Sequence, residues 1–182
     1  MKNFYLLLSL LFPFSLFAQS NYQSGFVLKN NGDTLKGFIN YREWTFSPRS
    51  IDFKTNKDDK QPIQFNPQTI KCFQVSGAET YVSYTGLVTM NRTEINEISN
   101  GLDTTKKSDT LFIKQVASGN NLRLFYEHDD IKTRFFIAGL NEKPTELKNF
   151  VSYNSGELAN SPIYKGQLVL YVNKFKPRDE KY

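Results

Sequence analysis

The sequence predicts a mainly β protein, in which antiparallel hairpins and a meander form a sandwich or a partly open barrel and the chain ends in an amphipathic helix. Three observations predict it. Sixteen Phe and ten Tyr in 182 residues are an aromatic load that suits pleated, half-buried surfaces. Apolar and polar residues alternate over short stretches, which is the period of a strand. Turn chemistry separates those stretches, with Asn31-Gly32, Ser118-Gly119-Asn120-Asn121 and His128-Asp129-Asp130 as the clearest cases.

The first element is a hairpin over Gly25 to Arg42. Phe26 and Leu28 share one face, Leu35 follows the turn, and Asn31-Gly32 tolerates the positive φ that tight hairpins need. Gly37 inside the second strand predicts a bulge or a close backbone approach. The Asn30 to Asp33 turn offers one carboxylate and no further ligand spacing, so it reads as backbone geometry and not as a cation loop. Ile51-Asp52-Phe53 and Gln61 to Phe65 form a second hairpin around a charged turn. Asn66-Pro67 reads as an N-cap and first residue of a single helical turn. Strands follow over Lys71 to Val75, Thr80 to Tyr84 and Leu87 to Met90.

Asn91 to Asp109 is polar with few apolar anchors, and a loop or a short helix at Thr93–Ser99 is expected there. Leu111 to Val116, Leu122 to Glu127 and Thr133 to Ile137 then make a three-stranded antiparallel meander. Ser152 to Asn160 reads as a polar loop. Tyr164, Leu168, Tyr171 and Phe175 recur at helical spacing behind Ser161-Pro162, so a helix is preferred, with a buried strand over Leu168 to Val172 as the alternative. The segment 173–182 is expected to be a charged tail.

At the N-terminus, Met1-Lys2-Asn3, an apolar run from Phe4 to Phe17 and Ala18-Gln19 have the layout of a secretory signal peptide over 1–18. The run is short for a membrane-spanning helix, which needs about 20 residues. Residues 19–182 are then a single β-rich exported domain with no transmembrane segment. The formal charge is +5, or about +4 once Lys2 is removed, and the lysines are scattered among acids as in Lys57-Asp58-Asp59-Lys60. Neither a nucleic-acid footprint nor a polybasic membrane patch is present in that pattern.

Chemistry-bearing motifs are sparse. Cys72 is the single cysteine, expected to pack as a small strand residue. His128 is the single histidine, expected at a surface turn without a triad. No paired Cys, His–His spacing or calcium-loop pattern predicts a metal site, and no glycine-rich turn predicts a phosphate or cofactor site. Asp58, Asp59, Asp129 and Asp130 carry no pattern that would bring them together. Trp44, Tyr81 and Tyr84 are expected in the core rather than on a carbohydrate platform. No catalytic, cofactor-binding or metal residue is therefore assigned.

Gly32-Asp33-Thr34-Leu35-Lys36-Gly37-Phe38-Ile39, then Trp44, Ser47-Pro48 and Ile51-Asp52-Phe53, resembles an uncharacterised family of exported Bacteroidota envelope proteins. Asn66 to Phe73, Gly119 to Tyr126, Glu146-Leu147 and Tyr164 to Leu168 extend the resemblance in patches. Longer members of that family carry an outer-membrane β-barrel after this region, for which this chain has no room. The resemblance implies a periplasmic or outer-membrane-associated β domain and transfers no catalytic residue. The expectation is a non-enzymatic binding or scaffolding module, meeting an envelope protein partner through an exposed strand edge. The alternative is a hydrolase acting on glycans or peptides through a carboxylate site.

Overall fold

A computed structural model describes residues 21–175. The expected signal peptide and the segment 176–182 of the charged tail lie outside the described residues. The chain forms β1 (Tyr22–Lys29), β2 (Thr34–Asn40), β3 (Ile51–Lys54), β4 (Ile63–Phe65), β5 (Ile70–Val75) and β6 (Thr80–Thr89). It continues through β7 (Lys106–Ser118), β8 (Leu122–His128), β9 (Thr133–Gly139), β10 (Thr145–Leu147), β11 (Phe150–Asn154) and β12 (Glu157–Ser161), then helix α1 (Ile163–Phe175). Ten strands make one open antiparallel sheet in the order β10-β9-β8-β7-β6-β5-β1-β2-β3-β4, and β11 pairs with β12 apart from it. Mainly antiparallel β with a terminal helix is what the alternation and turns predict.

Local chemistry explains most of the path. Gly32 sits at φ +97° in the first turn, and the Asn31 side chain accepts from the Asp33 amide at 3.0 Å. Gly37 stands opposite Gly25 in an unbroken register. A Cβ on Gly37 would collide with the Lys54 carbonyl oxygen and the Phe53 ring. The expected close approach is therefore the reason for that glycine, with no bulge. Asn66 caps its turn as expected, its Oδ1 accepting from Gln68 N at 3.1 Å and Thr69 N at 3.2 Å.

Two expectations are corrected and one open choice is decided. The polar segment before residue 110 is shorter than read, because β7 begins at Lys106 and pairs with the far end of β6. Its Lys, Ser and Asp residues are outside the core, so no apolar alternation marks the strand. Between the loop and the short helix left open at Thr93–Ser99, the chain is a loop with one 3₁₀ turn, Ile95–Glu97. Ser152 to Asn160 is not a loop but lies in the β11–β12 hairpin. That hairpin turns on Ser155 and Gly156, both at positive φ, the conformation of a tight hairpin turn. Strands β6 and β7 are also longer than read. Thr80 to Thr89 is one strand, and Gly86 leaves room for the Tyr84 ring, whose hydroxyl donates to Leu87 O at 3.1 Å.

Pairing register divides the core in two. Val27, Phe73 and Tyr81 are successive partners across β1, β5 and β6, and so share a face. With Ile39, Ile51, Phe53, Phe65 and Phe112 they form one buried cluster. Val82 and Tyr84 alternate to the opposite face, where Leu111, Ile113, Phe125 and Phe136 form the second cluster with them. Strands β6 and β7 thus feed both faces. Trp44 closes the first cluster, meeting Tyr41, Phe73 and Tyr81 edge-on at 5.4, 5.8 and 5.7 Å.

Helix α1 is the preferred reading at the C-terminus. Tyr164, Leu168, Tyr171 and Phe175 are its half-buried side. Ile163, Val169, Leu170 and Val172 are exposed around the rest of it, so the helix is apolar beyond its inward stripe. Gln167 fastens it to the sheet. Its Oε1 accepts from Lys148 N at 2.8 Å and its Nε2 donates to Glu146 O at 2.8 Å. One carboxamide thereby fills the place of a neighbouring strand beside β10, covering an edge that would otherwise be open.

Candidate functional site

The second half of the sheet holds a buried polar cluster that sequence reading missed. Its members come from the end of β6 (Thr89), the following residue pair (Asn91), β8 (Glu127), the β8–β9 turn (Asp129, Lys132), β9 (Arg134) and β10 (Glu146). Strand pairing sets Glu127 opposite Arg134. Arg134 is wholly buried and its Nη1 donates to Glu127 at 2.7 Å and Asp129 at 2.8 Å, while its Nε donates to Thr89 O at 2.9 Å. The signal was present in the sequence as Arg134 on an otherwise apolar face of β9 and Glu127 on a mixed face of β8 with Arg123 and Phe125. Spacing alone does not say that two such residues face each other.

The second group lies beside it. Lys132 Nζ donates to Thr89 Oγ1 at 2.6 Å and Asn91 Oδ1 at 2.7 Å. Glu146 accepts from Thr89 N at 2.9 Å and from the Thr89 hydroxyl. Asp129 accepts from the amides of Ile131 and Lys132, both at 2.9 Å, which shapes the turn that points Lys132 inward. Among the described residues Lys132 makes no ion pair, although it is only 7% exposed.

Electrostatics follow from this geometry. Burial pushes the Glu127 carboxyl up, and the neighbouring Asp129 carboxylate adds to it against the pull of Arg134. Burial also acts to raise Asp129, but the two amides and Arg134 outweigh it and hold Asp129 low. Burial lowers Lys132 to about 8, opposed in part by Glu146. Two carboxyls pushed apart in this way are the pattern of an acid–base pair. Access decides against that use here. Glu127 is 1% exposed, Thr89 is wholly buried, and neither lines the cavity beneath α1.

The cavity itself lies between α1 and strands β8 to β10, with a volume of about 510 Å³. Its apolar walls are Leu124, Phe135 and Leu147 from the sheet and Leu168 from the helix, with Tyr164 beside them. Lys132, Arg134, Glu146 and Asn149 border it as well, although strand register turns Arg134 and Glu146 to the sheet face opposite Phe135 and Leu147. The volume falls within the range of about 300–1,000 Å³ typical of small-molecule sites. Glu146 is the one carboxylate on its wall, and both of its oxygens are engaged by Thr89.

The residues weighed from sequence are placed as follows. His128 is half-buried at the end of β8, stacked on Phe46 at 4.9 Å, and its Nδ1 lies 2.9 Å from Thr133 Oγ1. It has no carboxylate partner among the described residues, so no triad forms. Cys72 is an unpaired, half-buried thiol whose pKa burial pushes up, which suits a packing role. Trp44 is partly buried against the first cluster, and Tyr81 and Tyr84 are core residues. Asp58 and Asp59 stay in the β3–β4 turn, apart from Asp129, and no metal-ligating cluster occurs among the described residues. No described helix is long and apolar enough to cross a membrane. A scan against protein-family models, a search of curated proteins and a search of solved structures each return no match.

Proposed function

We propose that this chain is a non-enzymatic, exported β domain of the cell envelope that binds a small ligand in the cavity under α1. The observation that carries the reading is the make-up of that cavity, which combines apolar walls with a single, fully engaged carboxylate. A glycosidase-type hydrolase needs two carboxyls flanking the bond to be cut, and Glu127 and Asp129 are spent on Arg134 away from the cavity wall. The signal-peptide layout and the resemblance to exported Bacteroidota proteins support the location. Thermal unfolding with fractionated envelope extract tests the function. A fraction that raises Tm without being turned over is the expected result. Hydrolysis of a glycan or peptide that Glu146→Gln abolishes would establish the hydrolase instead. A mature protein whose mass still includes Met1 to Ala18 would contradict export.

An envelope protein partner through a strand edge is a second contact that one observation favours. Of the two ends of the ten-stranded sheet, β10 is covered through Gln167, while β4 has no strand beyond it among the described residues and exposes Ile63. The β4 edge is only three residues long, so it offers few backbone pairs and suits a weak or assisted contact. Gln64→Pro, which removes a backbone donor there, is expected to abolish such capture. Undiminished capture would exclude this edge.

A further inference from the structure

We infer that the outer edge of β12 pairs with the same edge of a second copy of this chain, antiparallel, with Ala159 facing Ala159 at the two-fold axis. Hydrogen-bond parity shows that the edge is open. Tyr153 N donates to Ser99 O at 2.9 Å and Tyr153 O accepts from Gly101 N at 2.8 Å, so the Tyr153 backbone faces away from β12. Tyr153 stands opposite Leu158, and facing residues of an antiparallel pair exchange both backbone bonds or neither. Leu158 therefore turns its amide and carbonyl away from β11. Asn160, two residues on, does the same. Among the described residues no backbone group bonds to either of them. Leu158 is 60% exposed, and Asn160 is exposed beside it.

The edge is complementary to itself. With Ala159 at the axis, Leu158 faces Asn160 of the second copy and the two exchange both amide–carbonyl bonds, which the symmetry then repeats. The axial pair is the kind without hydrogen bonds, where Cα atoms approach to about 4.5 Å, and alanine fills it without crowding. Neighbouring registers fail. An axis at Leu158 sets Asn160 against the turn residue Gly156, and an axis at Asn160 sets Leu158 against Pro162, which has no amide. Charge agrees with the first register, because Glu157, the one charged residue of β12, falls opposite Ser161 and not a like charge. Neither lysine nor proline, which usually keep an edge unpaired, interrupts Leu158-Ala159-Asn160. The two Leu158 side chains lie diagonally across the axis, about 7–8 Å apart and within reach, so each covers the other. The β11–β12 sheet has two strands, a number that is marginal by itself, and the pairing doubles it. An unrelated extended chain gains neither the axial alanines nor the leucine contact.

Sedimentation equilibrium of the intact protein from about 10 µM to about 1 mM, with amide hydrogen exchange at both ends of that range, tests the pairing. A monomer–dimer equilibrium is expected. Exchange at Leu158 and Asn160 should slow at least about threefold at the higher concentration. Ala159, already bonded to Ser152 within the hairpin, should not change. In a Cys72→Ser background, oxidised Ala159→Cys should form a covalent dimer, because facing Cα atoms about 4.5 Å apart suit a disulfide. Glu157→Cys, whose two copies lie at opposite ends of the contact, should not. Asn160→Pro, which removes an outward amide, should stay monomeric at every concentration. If a variant does not fold, the exchange pattern of the unaltered protein decides alone. A protein that is monomeric throughout overturns the proposal, as does concentration-independent exchange at Leu158 and Asn160. Self-association that survives Asn160→Pro, or crosslinking at position 157 equal to that at 159, overturns it too. Capture of an extended peptide by a protein that stays monomeric would give the edge to another partner and overturn the second-copy assignment.

Discussion

The two halves of the sheet solve the same burial problem with different chemistry. In β1 to β5 the core is apolar and aromatic, Phe73 meeting Trp44, Tyr81 and Phe112 within 6 Å. In β8 to β10 a smaller apolar cluster shares the interior with Arg134, Glu127, Lys132 and Glu146. The first half holds only a smaller cavity of about 130 Å³ beside Asn40, Arg42, Asp52 and Gln64, and its buried cluster carries no charged group. The second half spends stability on desolvated charge and on a loosely covered cavity, which is where recognition becomes feasible. Apolar packing gains from burial of any fitting shape. Buried charge is favourable only when each partner is in place.

Two substitutions of similar size expose that difference most strongly. Phe73→Ala and Arg134→Met should each cost about 3–5 kcal/mol in denaturant unfolding, the first through a cavity and the second through uncompensated carboxylates. Only the second should be recoverable. Adding Glu127→Leu to Arg134→Met is expected to return most of the loss, because removing a buried ion pair together is close to neutral. A double variant as unstable as the single one would mean that the cluster is not the source of the cost.

Next in size is a pH effect confined to the second half. Lys132 falls from 10.5 to about 8 on folding. Between those values the unfolded chain holds a proton that the folded chain has lost, so stability should rise with pH. The rise attributable to Lys132 is about 3 kcal/mol, and it should vanish in Lys132→Met when the two pH profiles are subtracted. A difference profile that is flat or falls with pH would contradict the environment described for this lysine.

Smaller effects belong to the helix and to the surface. Gln167→Ala removes two hydrogen bonds to backbone and should cost about 1–2 kcal/mol, with faster hydrogen exchange at the Lys148 amide and none at Val27. Exchange that is unchanged at Lys148 would show that the carboxamide does not guard the β10 edge. Arg42→Ala, which breaks the exposed 3.0 Å pair with Asp52, should change stability by no more than about 1 kcal/mol. A larger loss would give the first half an electrostatic dependence that its apolar core does not predict.

Sequence reading reached the first half better than the second, and for the same reason. Alternation around Val27, Ile39 and Phe53 follows one buried face, so hairpins and turns could be placed from period and glycine. It failed where a strand is polar on both faces, as at Lys106 to Asp109, and where a hairpin is built from polar residues, as at Ser152 to Asn160. The cluster was illegible because its contacts are long-range. Glu146 meets Thr89 across 57 positions and Lys132 meets Thr89 across 43. His128 and Cys72, the residues a motif search singles out, turned out to be peripheral. The residues that matter carry no motif.

One measurement tests the division between scaffold and binding half most directly. With carbon-13 methyl-labelled protein saturated with the envelope fraction that raises Tm, intermolecular nuclear Overhauser effects should connect the bound ligand to the methyl groups of Leu124, Leu147 and Leu168. None should reach Val27, Ile39 or Ile51 in the first cluster. Contacts to those first-cluster methyl groups, or a saturated protein showing no contact to Leu124 and Leu168, would contradict the account.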